Sequence, residues 1–227
     1  MPQRIELTAD DGVRIAGIWV AAPTTIGAAV LLHMYPSSKE SWAAFQSMLA
    51  RRGIASLAID LRGHGESART AEGVKIDYRK FGEGETESTI NDVRAAYEWI
   101  RSRGVDEDRI AVVGASIGAN LALKFLAEEP RVPAAALLSP GLDYHGIRVM
   151  DFVDCVAPHQ SVWIAASKGD DDRSVGDSAQ IMEALGAETK AFVKLDMAGH
   201  GTRMFDADAA LMGQVADWLR DRIQAAG

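Results

Sequence analysis

Hydrophobic residues in this chain fall into two arrangements. Residues 5–7 and 13–20 alternate apolar and polar positions, the period-two pattern of strands with one buried face. Between them stands Ala9-Asp10-Asp11-Gly12, and the Asp-Gly pair predicts an antiparallel hairpin. After Pro23 the alternation gives way to predominantly apolar runs at 28–32, 55–59, 110–113, 134–138, 162–166 and 191–195, which predict strands buried on both faces. Between the runs, apolar residues recur at helical spacing over 41–52, 90–103, 118–129, 178–185 and 204–224. Strand and helix in alternation imply right-handed crossovers. The expected class is therefore α/β: a mostly parallel central sheet, helices on both faces and an antiparallel hairpin at its start.

No repeat, low-complexity tract or linker divides the sequence, so residues 1–227 are expected to form one domain. Two connections are long, 63–86 and 139–160, and long loops in compact domains tend to build pockets. The stretch 140–160 is too short for a large cap, so any lid is minimal. Its Leu142, Tyr144, Met150, Phe152 and Cys155 fit either an apolar substrate pocket or the inner side of a short helix.

Composition narrows the functional classes. Apolar residues make up 48% and charged residues 25%, ordinary globular values. With 24 Lys and Arg against 32 Asp and Glu, the net charge of -8 opposes phosphate backbones and anionic lipid surfaces. Neither nucleic acid nor membrane is an expected partner. The single Cys155 cannot form an internal disulfide, and the N-terminal residues read as strand with no export signal, so a soluble, cytoplasmic protein is expected.

The densest chemical signal is Gly114-Ala115-Ser116-Ile117-Gly118, where a buried strand runs directly into a helix. Such a turn strains the serine backbone and needs small residues two before and two after it. Ser116 would emerge at the helix N-terminus, where the helix dipole and the free N–H of Ile117 favour negative charge on a carbonyl oxygen under attack. The spacing matches neither Gly-x-Gly-x-x-Gly nor a P-loop, and the five histidines show no His-Glu-x-x-His spacing.

Leu31-Leu32-His33-Met34-Tyr35-Pro36, Asp60-Leu61-Arg62-Gly63-His64-Gly65-Glu66-Ser67, the segment around Ser116 and a late Gly199-His200-Gly201 together resemble the α/β-hydrolase family along nearly the whole chain. The resemblance implies a serine hydrolase that needs no metal or cofactor, with Ser116 as nucleophile and His200 as base. It places the orienting acid at Asp170, the first of three adjacent aspartates, with Asp171 and Asp172 beside it and Asp143 as the site used in a family variation. It implies oxyanion donors at Ile117 and in the turn after the third strand, at Tyr35 or, because Met34 replaces the family's glycine, at Met34. Met34 and Tyr144 are expected to line the substrate pocket, and His33 and His64 to shape loops. His145 and His159 read as solvated loop residues. Short relatives with little cap resemble dienelactone hydrolases, which use cysteine where this chain has Ser116. The implied substrate is a small-molecule carboxylic ester with a short acyl or an aryl group. A thioesterase, lactone hydrolase, amidase or small peptidase uses the same groups, and a binding protein can keep the fold without turnover.

Overall fold

The computed structural model describes residues 1–169 and 173–226. The alternating segment folds as β1 (Gln3–Thr8) and β2 (Arg14–Val20), paired antiparallel. The apolar runs form β3 (Gly27–Leu32), β4 (Ile54–Ile59), β5 (Ile110–Ala115) and β6 (Ala134–Leu138). A ribbon of β7 (Asp143–Tyr144) and β8 (Ile147–Arg148) follows, then β9 (Ser161–Lys168) and β10 (Thr189–Asp196). The helices are α1 (Ala43–Arg51), α2 (Glu83–Glu87), α3 (Ile90–Arg101), α4 (Ile117–Glu128), α5 (Ser174–Ala184), α6 (Arg203–Ala207) and α7 (Ala209–Ala226). The eight-stranded sheet runs β1-β2-β4-β3-β5-β6-β9-β10. β2 meets β4 antiparallel, and every later pair is parallel. The carboxyl ends of β3, β5, β6, β9 and β10 therefore share one edge of the sheet.

Each central strand serves two cores. Ala28, Val30 and Leu32 face the layer of α3, α4 and α5, whereas Ala29 and Leu31 face α1, α6 and α7. Two buried faces explain why these strands read as unbroken apolar runs. α4 is apolar nearly all round because it is covered twice, by the sheet and by Ile147, Val149, Val153 and Val156 of the segment after β6.

Three expectations need correction. β10 is not buried on both faces: it ends the sheet, and its Lys190 and Lys194 are exposed, charges that oppose pairing with another strand. The stretch 204–224 is not one helix. Asp208 is extended, with φ −136° and ψ 96°, and its carboxylate accepts the N–H groups of Ala210 and Leu211 at 2.9 and 3.3 Å, which ends α6 and caps α7. α5 begins at Ser174, ahead of its apolar period, with Ser174 and Ser178 buried. Among the described residues no helix is long and apolar enough to cross a membrane.

Arg62, just past β4, ties the antiparallel start to the rest of the sheet. Its guanidinium donates to Asp92 of α3 at 2.7 and 2.9 Å and to Asp11 of the first turn at 2.6 and 3.0 Å, and its N–H donates to Asp92 at 2.7 Å. Asp92 is wholly buried. Arg62→Met strands that carboxylate and should cost about 3–5 kcal/mol in urea unfolding, most of which Arg62→Met/Asp92→Leu should recover. No recovery in the double variant would mean that the stranded charge is not the source of the loss.

Candidate active site

Ser116 sits at the end of β5 with φ 54° and ψ −122°, a backbone that an L-residue rarely adopts. Packing enforces this turn. A Cβ on Gly114 would lie 1.9 Å from the Gly118 oxygen, and one on Gly118 would lie 2.4 Å from the Leu32 oxygen, so strand, turn and helix close only with glycine at both places. The Ser116 N–H donates to Leu138 of β6 at 2.8 Å, and its C=O accepts the N–H groups of Ala119 and Asn120. Ser116 is 7% exposed. As the first residue of α4, Ile117 has no acceptor within the helix for its N–H.

The loop after β10 returns to this point. Met197, Gly199 and Gly201 all have positive φ, and a Cβ on Gly201 would lie 2.8 Å from the Met34 sulfur and 3.2 Å from the Ala115 Cβ. Residue 201 thus passes directly over the strand end that carries Ser116, and half-buried His200 precedes it. Two hydroxyls that carry no sequence signature pin the loop. Ser167 Oγ accepts the Ala198 N–H at 2.8 Å, and Ser139 Oγ accepts the Gly201 N–H at 3.0 Å. Ser139 itself has φ 53°. The chain leaves β9 through Gly169, whose φ is 80°. Asp170, Asp171 and Asp172 lie outside the described residues. Asp143 is engaged elsewhere, its carboxylate accepting the Gly146 N–H at 2.8 Å and facing Arg148 at 3.5 Å.

On the other side of Ser116 lies the turn after β3. The Leu61 N–H donates to His33 Nε2 at 3.0 Å, so His33 carries its proton on Nδ1, which donates to the Met34 oxygen at 2.8 Å. Burial lowers the His33 pKa and keeps the ring neutral. Met34 is 8% exposed and packs beneath Gly201, beside the end of β5. The Asp60–Ser67 motif folds into a scaffold. Asp60 accepts the Lys39 N–H at 2.8 Å, the Lys39 ammonium at 2.7 Å and the Glu66 N–H at 2.8 Å. Burial pulls the Lys39 pKa down, but Asp60, Glu66 and Glu40 outweigh it and the net direction is up. Ser67 Oγ donates to the Asp60 oxygen and accepts the Ala16 N–H, joining this turn to β2.

The two long connections meet over the site. Glu83 of α2 accepts from Arg148 of β8 at 2.9 and 3.0 Å. Asn120, one turn along α4 from Ser116, donates to the Gly141 and Ile147 oxygens at 2.9 and 3.0 Å and accepts the Gly141 N–H at 3.1 Å. The ribbon is therefore a fixed roof. Of the apolar residues in 140–160, Leu142 and Phe152 pack against the core, Met150 and Cys155 are exposed, and Tyr144 lies edge-on to His200 with ring centroids 6.4 Å apart. Instead of one short helix the segment folds as the ribbon and two 3-10 turns. His159 lies away from this roof and bonds the Pro130 oxygen. Among the described residues no group of three or more His, Cys, Asp or Glu is placed to hold a metal ion.

The family model described as serine aminopeptidase, S33, matches residues 24–175, about two thirds of the chain, and the chain belongs to that family of α/β hydrolases. The 2,6-dihydropseudooxynicotine hydrolase of Paenarthrobacter nicotinovorans is 30% identical over 172 residues, 74% of this chain and 42% of that one. The chain spans less than half the length of the curated relatives it matches, 48% and 42%. Among solved structures, an esterase of Pyrococcus furiosus superposes with a TM-score of 0.79 at 19% identity, covering 98% of this chain and 93% of that one. The dienelactone hydrolase of Anabaena variabilis superposes with a TM-score of 0.74 at 20% identity, covering 97% and 98%. At these identities the likeness is one of fold.

His64 yields a pH prediction. Burial, then the neighbouring His33, pushes its pKa down to about 4. An unfolded histidine titrates near 6.5, so below about pH 6.5 the unfolded chain binds a proton that the folded chain refuses until about pH 4. Stability is lost across that window as pH falls, on the order of 2 kcal/mol by pH 5. Urea midpoints measured from pH 7.5 to 5 should show the decline, and His64→Gln should make it shallower, with His33, whose pKa burial also lowers, supplying a remainder. An unchanged slope in the variant would assign the decline to another group.

Proposed function

We propose that this S33-family α/β hydrolase cleaves small carboxylic esters through an acyl-enzyme on Ser116, with His200 as base and Asp170 as the carboxylate that orients it. The observation that carries this reading is the convergence of a strained serine at the N-terminus of α4 with a histidine loop pinned across the same strand end. The esterase and hydrolase activities of the relatives agree with it. Asp170 is assigned by the family resemblance of the turn that follows β9.

The chemistry follows from these placements. Ser116 Oγ attacks the ester carbonyl while its proton passes to His200. The Ile117 N–H, with the Tyr35 N–H as second donor, holds the oxygen as it becomes negative. The tetrahedral intermediate expels the alkoxide, which takes the proton from His200 and leaves as alcohol. Water, deprotonated by His200, then attacks the acyl-Ser116 carbonyl, and collapse releases the carboxylic acid and restores the serine. Asp170 holds the imidazole in the required tautomer and offsets its positive charge.

Purified protein should be assayed on p-nitrophenyl esters, thioesters, lactones and anilides, with esters expected to turn over fastest. Ser116→Ala and His200→Ala should each lower kcat by roughly 10⁶-fold. Asp170→Asn should lower it by roughly 10⁴-fold, with Asp171→Asn and Asp172→Asn near wild type. Retention of more than a few per cent of activity in Ser116→Ala would overturn the nucleophile, and a large loss at Asp171 or Asp172 with Asp170 silent would move the acid.

A further inference from the structure

The roof over Ser116 ends in an unusual turn. Tyr144 pairs with Ile147, and the two residues between them both have positive φ, His145 at 54° and Gly146 at 93°. That is the requirement of a type I′ hairpin turn, whose first position usually holds Asn, Asp or Gly. A histidine there keeps a left-handed backbone that those residues adopt more easily. Strained positions of this sort cluster where a side chain has a task.

Strand order says where the turn lies. β5 stands between β3 and β6, with β9 and β10 beyond β6. Tyr35 follows β3 on one side of Ser116, and His200 follows β10 on the other. Tyr144 meets the His200 ring edge-on at 87°, while the next residue, His145, reaches the Tyr35 ring, with centroids 5.5 Å apart and planes tilted by 40°. The tip of the ribbon therefore spans the end of β5 with one ring on each side of the serine. Tyr35 is backed by His64 at 4.2 Å, and His64 is itself stacked on Tyr78 at 3.7 Å and 16°. These rings fix the plane of Tyr35 from behind. Tyr35 is half-buried and His145 exposed.

We infer that Tyr35 and His145 form an aromatic platform beside Ser116 that binds a planar ring of the substrate, so that the preferred ester carries an aryl group one or two bonds from the scissile unit. The inference rests on the ester-hydrolase reading of Ser116 and His200. A saturated ring of equal carbon number buries similar area but lacks the π-face that stacks on Tyr35 and His145. The difference corresponds to about twofold to tenfold in binding.

The test compares benzyl acetate with cyclohexylmethyl acetate and methyl phenylacetate with methyl cyclohexylacetate. The first pair places the ring on the alcohol and the second on the acyl group. In one pair kcat/KM should favour the planar ester by about twofold to tenfold, chiefly through KM. His145→Gly suits the left-handed backbone, so it should keep or raise Tm while that preference falls towards one. His159→Ala should leave the preference as in wild type. Ratios near one in both pairs for the wild type, or a preference unmoved in folded His145→Gly, would overturn the platform while leaving the hydrolase reading intact. Turnover of none of the four esters, or turnover that survives Ser116→Ala, would overturn the hydrolase reading and the platform with it.

Discussion

The left-handed backbone at Ser116 exists because nothing can occupy the space beside it. The Gly118 oxygen sits where a side chain on residue 114 would begin, and the Leu32 oxygen sits where one on residue 118 would begin. β5, α4 and the end of β3 are thereby held in contact through backbone alone. That contact brings the serine hydroxyl, the first free N–H groups of α4 and the turn after β3 to one point. The parallel order of the sheet does the rest, since β6, β9 and β10 deliver their own loops to the same edge.

Most polar groups around this point hold the backbone in place. Asp60, Lys39, Ser67 and His33 bond to backbone or to one another, and they shape the turns after β3 and β4. A buried ion pair such as Lys39–Asp60 adds little net stability, whereas loss of either partner leaves a buried charge uncompensated. Ser139 and Ser167 hold the loop of His200 in the same way, each through one hydroxyl and one backbone N–H. Asn120 links the helix behind Ser116 to the roof above it. A shift in the roof is thus felt within one helical turn of the serine.

The central sheet was legible because a strand buried on both faces is almost wholly apolar, as 28–32, 110–113, 134–138 and 162–166 are, and as 55–59 is apart from Ser56. β10 misled for the same reason: its apolar residues resemble a buried run, and only Lys190 before the run and Lys194 within it betray an edge. The break at Asp208 was written as a capping residue inside a helical period, a signal that periodicity outweighed. At the site, the turn at Ser116 could be read because a strand that runs straight into a helix tolerates so few residues at that junction. Ser139, Ser167 and Asn120 could not, because a hydroxyl or amide that bonds distant backbone leaves no local pattern. The conformation of His145 was hidden too, since His-Gly is not the pair that announces a type I′ turn. The acid was implied by the family resemblance alone, and Asp170 lies outside the described residues.

Everything in this account depends on Ser116 being a nucleophile made reactive by the fold. Reaction of the native protein with a fluorophosphonate, followed by mass analysis of its peptides, tests that most directly. The account predicts one phosphonyl group per chain, carried by the peptide that contains Ser116, at a rate that collapses in urea and in His200→Ala. No incorporation, or a label on any other residue at the same rate, would contradict it.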